Sequence, residues 1–320
     1  MSGNILITSA GQRVVLTQLF QEAAKVLSRE SKVFTTDMCP EMSPACQVSD
    51  RAFKVRRCTD TGYIEELLSL CQKNSVSIVV PTIDTELAVL ARNKNVFLDA
   101  GISIIVSDID FIELCRDKRK TISFLESRGI SMPKILDKYA PVFPMFAKPY
   151  DGSLSSNLHI IRSQEDLTSD VLNDPKLIFM EYIDKNEFKE YTVDMYYGKD
   201  HRVKSIVPRE RIKIRAGEIN KGRTRKNYLV DYLKERLDII PGAIGCLCMQ
   251  FFYRESDNQV YGIEINPRFG GGYPLTYFAH ADFPSNIIQE YSLGESVDYS
   301  EDWLDNTLML RYDKDIIVYG

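Results

Sequence analysis

Short apolar runs alternate with helical stripes of apolar residues over the first 115 positions of the chain. The apolar runs cover positions 5–8, 32–36, 76–80 and 102–106, and each has the length of a buried strand. Between them, apolar side chains recur at helical spacing, as in Ile64, Leu67, Leu68 and Cys71. Buried strands separated by amphipathic helices predict a parallel, doubly wound sheet.

The pattern changes after position 115, where strand-length runs follow one another with few helices between them. These runs cover positions 145–148, 157–161, 177–182, 191–197, 203–207, 246–253 and 259–265. Helices are predicted from position 117, with Gly129 as a left-handed residue at the end, and at 229–237 and around 287–288. Closely spaced strands favour antiparallel sheets, so the predicted class is α/β (α+β).

The composition is that of a globular protein in a reducing compartment. The 320 residues carry a net charge of −5, which gives no general attraction to nucleic acid, and no apolar run has membrane-spanning length. Seven scattered cysteines and an N-terminus without a basic leader predict a cytoplasmic protein. Cys246 and Cys248 are expected in the core, because no second Cys or His pair accompanies them to complete a zinc site.

One segment departs from this acidic average. Positions 202–226 hold ten Lys or Arg residues, against the acidic Glu210 and Glu218. One interpretation is a solvated hairpin or an incidental RNA-binding patch. The other is a phosphate-facing loop, mobile at Gly217 and Gly222, that closes over a ligand.

Polar residues follow the predicted parallel strands at the points where these strands end. Ligands of such sheets lie beyond the carboxyl ends of the strands. The residues found there are those of the segment 9–13, Asp37, Thr82, Asp84 and Glu86. The last three suit recognition of a cationic amine, although capping of a helix is the simpler explanation for Thr82 and Asp84. The region lacks the G-x-G-x-x-G fingerprint, which argues against a dinucleotide.

The segment 260–269, Val-Tyr-Gly-Ile-Glu-Ile-Asn-Pro-Arg-Phe, carries the strongest chemical signal. Because side chains alternate along a strand, Glu264 and Asn266 share one face at a spacing of about 7 Å. Two hard oxygen donors suit a Mg²⁺ held between protein and phosphates. Arg268 follows at the point where negative charge would develop on a transferring phosphoryl group. The alternative is a strand with an exposed acidic edge that ends in a Pro turn.

Two further segments extend this set of residues. A hairpin turn at 256–258 is expected to bring Gln250 close to Glu264 as a third oxygen donor, although a lone Gln in an apolar strand is usually a core amide. Lys148 ends a predicted strand ahead of a Gly/Ser turn, so its ammonium group and the backbone N–H groups of the turn suit phosphates. An ordinary β-hairpin explains that segment as well.

Taken in their order along the chain, these segments resemble the ATP-grasp superfamily, and the resemblance covers essentially the whole chain. The most specific match is the motif Glu-x-Asn-Pro-Arg at 264–268. The likeness is to one synthetase unit of the carbamoyl phosphate synthetase large subunit and to stand-alone carboxylate–amine ligases. It implies a Rossmann-like pre-ATP-grasp domain at 1–115 and a two-lobed ATP-grasp domain at 116–320. The nucleotide lobe would cover about 116–185, and the metal and substrate lobe about 186–320.

The resemblance also implies a role for each matching residue. The two lysines that bind the nucleotide would be Lys118 and Lys148, and the phosphate loop would include Gly152, Ser153 and Ser155. The adenine-binding hinge would be Glu181, Tyr182 and Ile183. The acid that binds the ribose would be Glu190. The implied magnesium ligands are Gln250, Glu264 and Asn266. Arg268 would stabilise an acyl phosphate, and Arg211 and Lys213 would bind the γ-phosphate or the substrate acid.

The sequence departs from the family pattern at two places. Leu154 and Asn157 stand where family loops usually have glycine. Leucine tolerates a positive φ poorly, so a stiffer or differently shaped loop is expected. The spacer between Glu181 and Glu190 is slightly long, which makes Glu187 a competitor for the ribose role.

The implied activity is an ATP-dependent ligation of a carboxylate to an amine through an acyl phosphate, giving ADP and phosphate. ATP would act with one or two Mg²⁺ ions, or with Mn²⁺. The implied partners are a small-molecule carboxylate and an amine, one of them an amino acid or a similar metabolite, without nucleic acid or membrane, and a homodimer by analogy. Two alternatives stay open: phosphorylation of a carboxylate or carbamate without ligation, and binding of nucleotide without turnover.

Overall fold

The computed structural model describes residues 3–28, 30–152, 157–215 and 217–319. Its strands are β1 (Asn4–Thr8), β2 (Val33–Asp37), β3 (Arg51–Lys54), β4 (Val76–Pro81), β5 (Ser103–Ile104), β6 (Met145–Pro149), β7 (His159–Ile161), β8 (Leu177–Glu181), β9 (Lys189–Tyr197), β10 (Val203–Arg215), β11 (Glu218–Thr224), β12 (Gly245–Arg254), β13 (Gln259–Asn266) and β14 (Leu308–Leu310). Its helices are α1 (Val14–Leu27), α2 (Pro44–Val48), α3 (Tyr63–Lys73), α4 (Asp84–Arg92), α5 (Lys94–Asp99), α6 (Ile109–Arg116), α7 (Lys118–Ser127), α8 (Ser169–Asn173), α9 (Leu229–Leu237), α10 (Tyr273–Phe278) and α11 (Phe283–Ile288). Across the described ranges, no helix is both long enough and apolar enough to span a membrane.

The N-terminal strands form one five-stranded parallel sheet, in the order β3-β2-β1-β4-β5. Ile5 and Ile7 of the central strand β1 belong to one apolar core, whereas Leu6 between them belongs to a second. Both faces of the sheet are therefore covered, which explains why its strands are continuous apolar runs in the sequence. The predicted parallel sheet is confirmed.

Two antiparallel sheets follow. One has six strands in the order β13-β12-β9-β10-β11-β14, and the other has three in the order β7-β6-β8. The helix predicted at 229–237 has the same bounds in α9. Gly129 has a φ of 72° just beyond α7, the left-handed conformation expected at a helix end. The predicted mixed class, parallel first and antiparallel after, is confirmed.

The basic segment forms a β-hairpin in the structure. β10 continues to Arg215, and its C-terminal half pairs with β11. Gly222 lies inside β11, where a Cβ atom would come 2.1 Å from Cδ1 of Ile219. Of the two interpretations of this segment, the hairpin is the one observed, since both of its halves are paired strands.

Candidate active site

A cavity of about 730 Å³ opens between the parallel sheet and the antiparallel sheets. Its volume falls in the range of small-molecule sites. The lining includes Arg13 and Asp84 from the parallel-sheet region, and Lys118, Lys148 and Glu264 from the rest of the chain. The carboxyl edge of the parallel sheet and the candidate metal strand therefore face the same space.

Strands β12 and β13 bring the three candidate metal ligands together on one wall. Gln250 pairs with Glu264 across the two strands, and Asn266 lies two positions further along β13. The side-chain amides of Gln250 and Asn266 each donate to Oε1 of Glu264 over 2.9 Å. All three side chains line the cavity, so the acidic edge does not face open solvent.

The donor set of this cluster suits a small hard cation. Within the described ranges, no group of three His, Cys, Asp or Glu side chains is arranged to hold a metal. What the cluster offers is one carboxylate and two amides, and a flip of each amide turns its carbonyl oxygen toward Glu264. Mg²⁺ is commonly bound by one or two carboxylates together with phosphate oxygens and water, so the residues present fit this ion.

A β-bulge at Ile263 shapes the same wall. Phe251 pairs with Gly262 rather than with Ile263, one residue out of step with the pairing of Gln250 and Glu264. The carbonyl of Ile263 is thereby left for a side chain, and it accepts a hydrogen bond from Nζ of Lys148 over 3.2 Å. One strand thus carries two candidate metal ligands and a backbone anchor for a candidate phosphate ligand.

Two lysine side chains, Lys148 and Lys118, line the cavity, and Lys148 interacts with the charges of both Glu264 and Lys118. Lys148, on β6, is 7% exposed. Burial lowers the pKa of Lys148 to about 8, although the charge of Glu264 raises it, and the charge of Lys118 lowers it further. Lys118 is the first residue of α7, which Asp117 caps, and its Nζ donates to the carbonyl of Gly152.

The predicted phosphate loop is described only at its two ends. Gly152 lines the cavity, whereas Ser153, Leu154 and Ser155 lie outside the described residues. Asn157 has a φ of 54°, a left-handed conformation that asparagine adopts more readily than most residues. Asparagine therefore meets a backbone requirement that glycine would otherwise meet at this position.

The segment 181–183 begins at the last residue of β8 and forms another part of the cavity wall. The backbone N–H of Glu181 donates to the carbonyl of Lys134 over 2.8 Å, which anchors the start of the segment. In the described part of the chain, neither Tyr182 nor Ile183 donates its N–H to a backbone carbonyl. Their backbone edge is therefore open to a planar ligand with donor and acceptor groups.

Glu190 and Arg211 meet on the neighbouring strands β9 and β10. Nε of Arg211 lies 3.0 Å from Oε1 of Glu190, and Lys185 donates to the other carboxylate oxygen over 3.0 Å. Glu187, the competitor for the same role, is exposed and pairs with Arg254 over 2.8 Å. Of the two acids, Glu190 is the one in the cavity lining.

The two candidate cations of β10 have different surroundings. Arg211 lines the cavity and donates to the hydroxyl of Thr192 over 3.1 Å and to the carbonyl of Gly217 over 3.0 Å. Lys213 is exposed and lies outside the cavity lining. The pairing of β10 with β11 changes register on both sides of Lys213. In a regular strand Lys213 would lie on the same face as Arg211, but this irregularity breaks the alternation of side chains.

Arg268 reaches across the cavity to the parallel-sheet region. Its Nε and Nη2 atoms donate to the two carboxylate oxygens of Asp84 over 2.9 and 2.7 Å. Burial lowers the pKa of Arg268, but the adjacent charge of Asp84 outweighs burial, so the pKa is raised. The guanidinium therefore stays charged inside the cavity.

Unlike the side chain of Asp84, those of Thr82 and Glu86 do not line the cavity. The hydroxyl of Thr82 is buried and donates to the carbonyls of Thr8 and Ser9, over 3.0 and 2.8 Å. Glu86 is fully buried and accepts a hydrogen bond from the hydroxyl of Tyr63. The capping alternative is not observed either, because Ile83 occupies the cap of α4, with no side-chain hydrogen bond. Asp84 is the one member of this trio that lines the cavity.

Three cavity residues, Arg13, Arg209 and Glu218, were not singled out by any motif. Arg209 donates twice to Asp194, over 2.8 and 2.9 Å, and their side chains are 1% and 0% exposed. Glu218 accepts from Arg311 over 2.7 Å. The sequence signals were positional: Arg13 ends the polar segment that follows the first strand, and Arg209 and Glu218 lie in the basic segment 202–226.

The glycines at 270–272 pack against two of these side chains. A Cβ atom on Gly271 would lie 2.3 Å from the carboxylate oxygens of Glu218. A Cβ atom on Gly272 would lie 2.1 Å from Nη1 of Arg209. A side chain at Gly272 would therefore displace the buried Arg209, whereas at Gly271 it would displace only the end of a half-exposed side chain.

Comparison with known proteins agrees with this arrangement. Residues 5–105 match the family model described as PylC-like, N-terminal domain, and residues 115–272 match the ATP-grasp domain model. No curated protein sequence matches the chain significantly.

Solved structures with the same fold include enzymes of several activities. The biotin carboxylase domain of 2-oxoglutarate carboxylase from Hydrogenobacter thermophilus, a dimer with ADP, magnesium and bicarbonate, is 15% identical with a TM-score of 0.72, over 96% of this chain and 74% of its own. N5-carboxyaminoimidazole synthetase from Staphylococcus aureus with ADP is 18% identical with a TM-score of 0.68, over 96% and 80%. The L-amino acid ligase from Bacillus licheniformis is 17% identical with a TM-score of 0.67, over 90% and 74%. With its PylC-like N-terminal region followed by an ATP-grasp domain, the chain belongs to the ATP-grasp superfamily.

Proposed function

We propose that this protein is an ATP- and Mg²⁺-dependent ligase that joins a carboxylate to an amine through an acyl phosphate. The observation that carries the proposal is the meeting of Lys118, Lys148 and the cluster around Glu264 in one cavity. Two cations beside hard oxygen donors are what a nucleoside triphosphate with its metal requires. Relatives solved with ADP, one of them with magnesium, support the same assignment.

Each wall of the cavity would hold one part of the nucleotide. Lys118 and Lys148 would bind the phosphates, the open backbone of 181–183 would face the adenine, and Glu190 would accept from the ribose hydroxyls. Gln250, Glu264 and Asn266 would hold Mg²⁺, which would supply charge neutralisation at the phosphates. The burial of Lys148 and the pairing of Glu190 support these roles, because both side chains are held in place by contacts within the cavity wall.

The first chemical step would be attack of a carboxylate oxygen of the substrate on the γ-phosphorus, with cleavage of the bond to ADP. Both reactants are anions, so the protein must chiefly neutralise charge and position them. Arg211 would face the γ-phosphate or the substrate acid. Arg268 has five N–H donors, two of which bind Asp84 and one the carbonyl of Phe269, so two remain for the acyl phosphate.

The second step would be attack of an amine on the acyl carbon. The bond from that carbon to the phosphate oxygen breaks, phosphate leaves, and the departing phosphate takes the proton that the amine gives up as the amide forms. The negative charge that develops on the carbonyl oxygen would be stabilised by the free donors of Arg268. Lys213 has no part in this scheme, because its side chain lies outside the cavity.

The same proposal extends to the domain organisation and assembly. We infer a parallel-sheet domain at 1–115 and an ATP-grasp domain at 116–320, with lobes that meet near 185–186. The regions matched by the two family models, 5–105 and 115–272, support the first boundary. The dimer of the biotin carboxylase relative supports a homodimer, which light scattering on the purified chain tests.

The decisive experiment is ADP release from ATP and Mg²⁺, screened over a panel of carboxylic acids crossed with a panel of amines. ADP release that requires both an acid and an amine, with an amide detected by mass spectrometry, is the expected result. Release with the acid alone would identify an acid-phosphorylating enzyme instead. ATP binding without release from any pair would identify a nucleotide-binding protein.

A further inference from the structure

Arg13 presents an unusually free guanidinium group to the cavity. Its side chain is 20% exposed, and its one ion-pair partner among the described residues is Glu218, at 3.5 Å. No hydrogen bond joins its guanidinium to any residue within the described ranges, although five N–H donors are available. Burial lowers the pKa of Arg13, and the charges of Arg268 and Arg311 add to that effect, although Glu218 raises it.

The neighbouring arginines are each paired with a carboxylate more closely than Arg13 is. Arg209 is neutralised by Asp194, and Arg268 by Asp84. Glu218 is held more closely by Arg311, at 2.7 Å, than by Arg13. Over the ranges that the structure describes, Arg13 is therefore the arginine of this group that has no closely bound carboxylate.

The backbone under Arg13 is firmly held. The N–H of Gly11 donates to Asp37 over 3.1 Å, and the carbonyl of Gly11 accepts from Ser43 over 2.9 Å. The carbonyl of Arg13 accepts a hydrogen bond from the N–H of Thr17, in the first turn of α1. The backbone of Arg13 is thus fixed at the cavity, so only its side chain needs to be ordered when it binds a ligand.

Arg13 and the candidate phosphate ligands of the nucleotide contact different parts of the cavity wall. Lys118 and Lys148 contact Gly152 and the carbonyl of Ile263. Arg13 instead contacts Glu218 of β11, whose carboxylate packs against Gly271. An anion at Arg13 therefore belongs to the substrate end of the cavity.

We propose that Arg13 binds a second anionic group of the substrate, a carboxylate or a phosphate ester other than the carboxylate that is activated. This inference rests on the proposed ligase function and names the substrate class for it: acids or amines that carry an additional negative charge. A guanidinium matches both groups through two parallel hydrogen bonds. The incoming anion replaces the loose contact with Glu218, which keeps Arg311 as its partner.

Matched probes in the ADP-release screen test this inference. Free α-amino acids, supplied as the amine, are compared with their α-carboxamides, and phosphoserine with serine, each with the full-length protein, ATP and Mg²⁺. We expect the charged member of an active pair to have a KM roughly 10- to 100-fold below that of its neutral partner, as for a hydrogen-bonded charge. Arg13→Gln removes this difference, Arg13→Lys retains part of it, and both leave the KM for ATP unchanged.

Arg92→Gln is the matched control, because Arg92 lies in the same part of the chain and pairs with Glu113 at the surface. It should preserve the preference for the charged probe. Preference for neutral probes, or an Arg13→Gln variant that still discriminates or loses ATP affinity, would overturn the inference and leave the ligase proposal standing. Failure of all acid–amine pairs to release ADP would remove both.

Discussion

Asp84 and Arg268 form a two-point ion pair across the cavity, although 184 positions separate them in the chain. The two hydrogen bonds, of 2.9 and 2.7 Å, determine the plane of the guanidinium as well as its place. Asp84 opens α4 at the carboxyl edge of the parallel sheet. The N-terminal region thus orients the arginine to which we assign stabilisation of the acyl phosphate.

Replacement of Asp84 tests this orienting role. We expect Asp84→Asn to lower kcat by roughly 10- to 100-fold with little change in the KM for ATP, because the arginine loses an ionic partner while the nucleotide site stays intact. Steady-state kinetics with the acid and amine from the screen measure both constants. Glu113→Gln, which removes a surface carboxylate paired with Arg92, is the control. Equal kcat values for Asp84→Asn and the wild type would exclude a positioning role.

Glu264→Ala removes the carboxylate on which both candidate amide ligands converge. We expect turnover of ATP to fall roughly a thousandfold or more, since a metal ion contributes several kcal/mol to stabilisation of the transition state. The melting temperature should stay within a few degrees, because Glu264 is only half-buried. Coupled ADP assays and thermal unfolding measure the two effects. Glu187→Ala is the matched control, and full activity of Glu264→Ala would refute the metal assignment.

Lys148 should make ATP binding depend on pH. Burial lowers the pKa of Lys148 to about 8, so the free protein loses this positive charge as the pH rises through that value. We therefore expect the KM for ATP to rise above about pH 8, and Lys148→Ala to raise it already at pH 7. Lys148→Arg keeps its charge and should remove the break in the pH profile. A profile of log KM against pH that is identical for Lys148→Arg and the wild type would exclude Lys148 as its source.

Glu190 and Glu187 form a natural matched pair for the ribose role, since the first lines the cavity and the second is exposed. We expect the wild type to prefer ATP over 2′-deoxy-ATP, and Glu190→Gln to lose most of that preference, because its amide is a weaker acceptor for a hydroxyl. Glu187→Gln should keep the preference. Competition between the two nucleotides in the ADP assay measures the ratio. A preference that Glu187→Gln alone abolishes would reverse the assignment.

Several parts of the site follow from neighbours in the chain. The pairing of Gln250 with Glu264 depends on a short hairpin, and the shared face of Glu264 and Asn266 depends on the alternation of a strand. The left-handed Gly129 and the bounds of α9 follow from local helix signals in the same way. Such features are predictable because each is decided within a few residues.

Other parts had no local signal. The register of the basic hairpin had none, since irregularities on both sides of Lys213 leave that residue outside the cavity that Arg211 lines. The bulge at Ile263, which provides the carbonyl bound by Lys148, is likewise a property of the paired strands. Each depends on how two strands align, which periodicity in one strand does not specify.

The amino-acid sequence alone determined the two kinds of sheet, their order along the chain and the motif-bearing residues on β6, β12 and β13. These depend on the period of apolar residues and on short spacings, which the chain carries in every conformation. Only the tertiary structure decided that Arg13 and Asp84 face Glu218 and Arg268, since ion pairs between distant segments form only after the sheets have packed together. The substrate end of the cavity therefore depends on contacts between distant segments, whereas the candidate metal ligands are brought together within one hairpin.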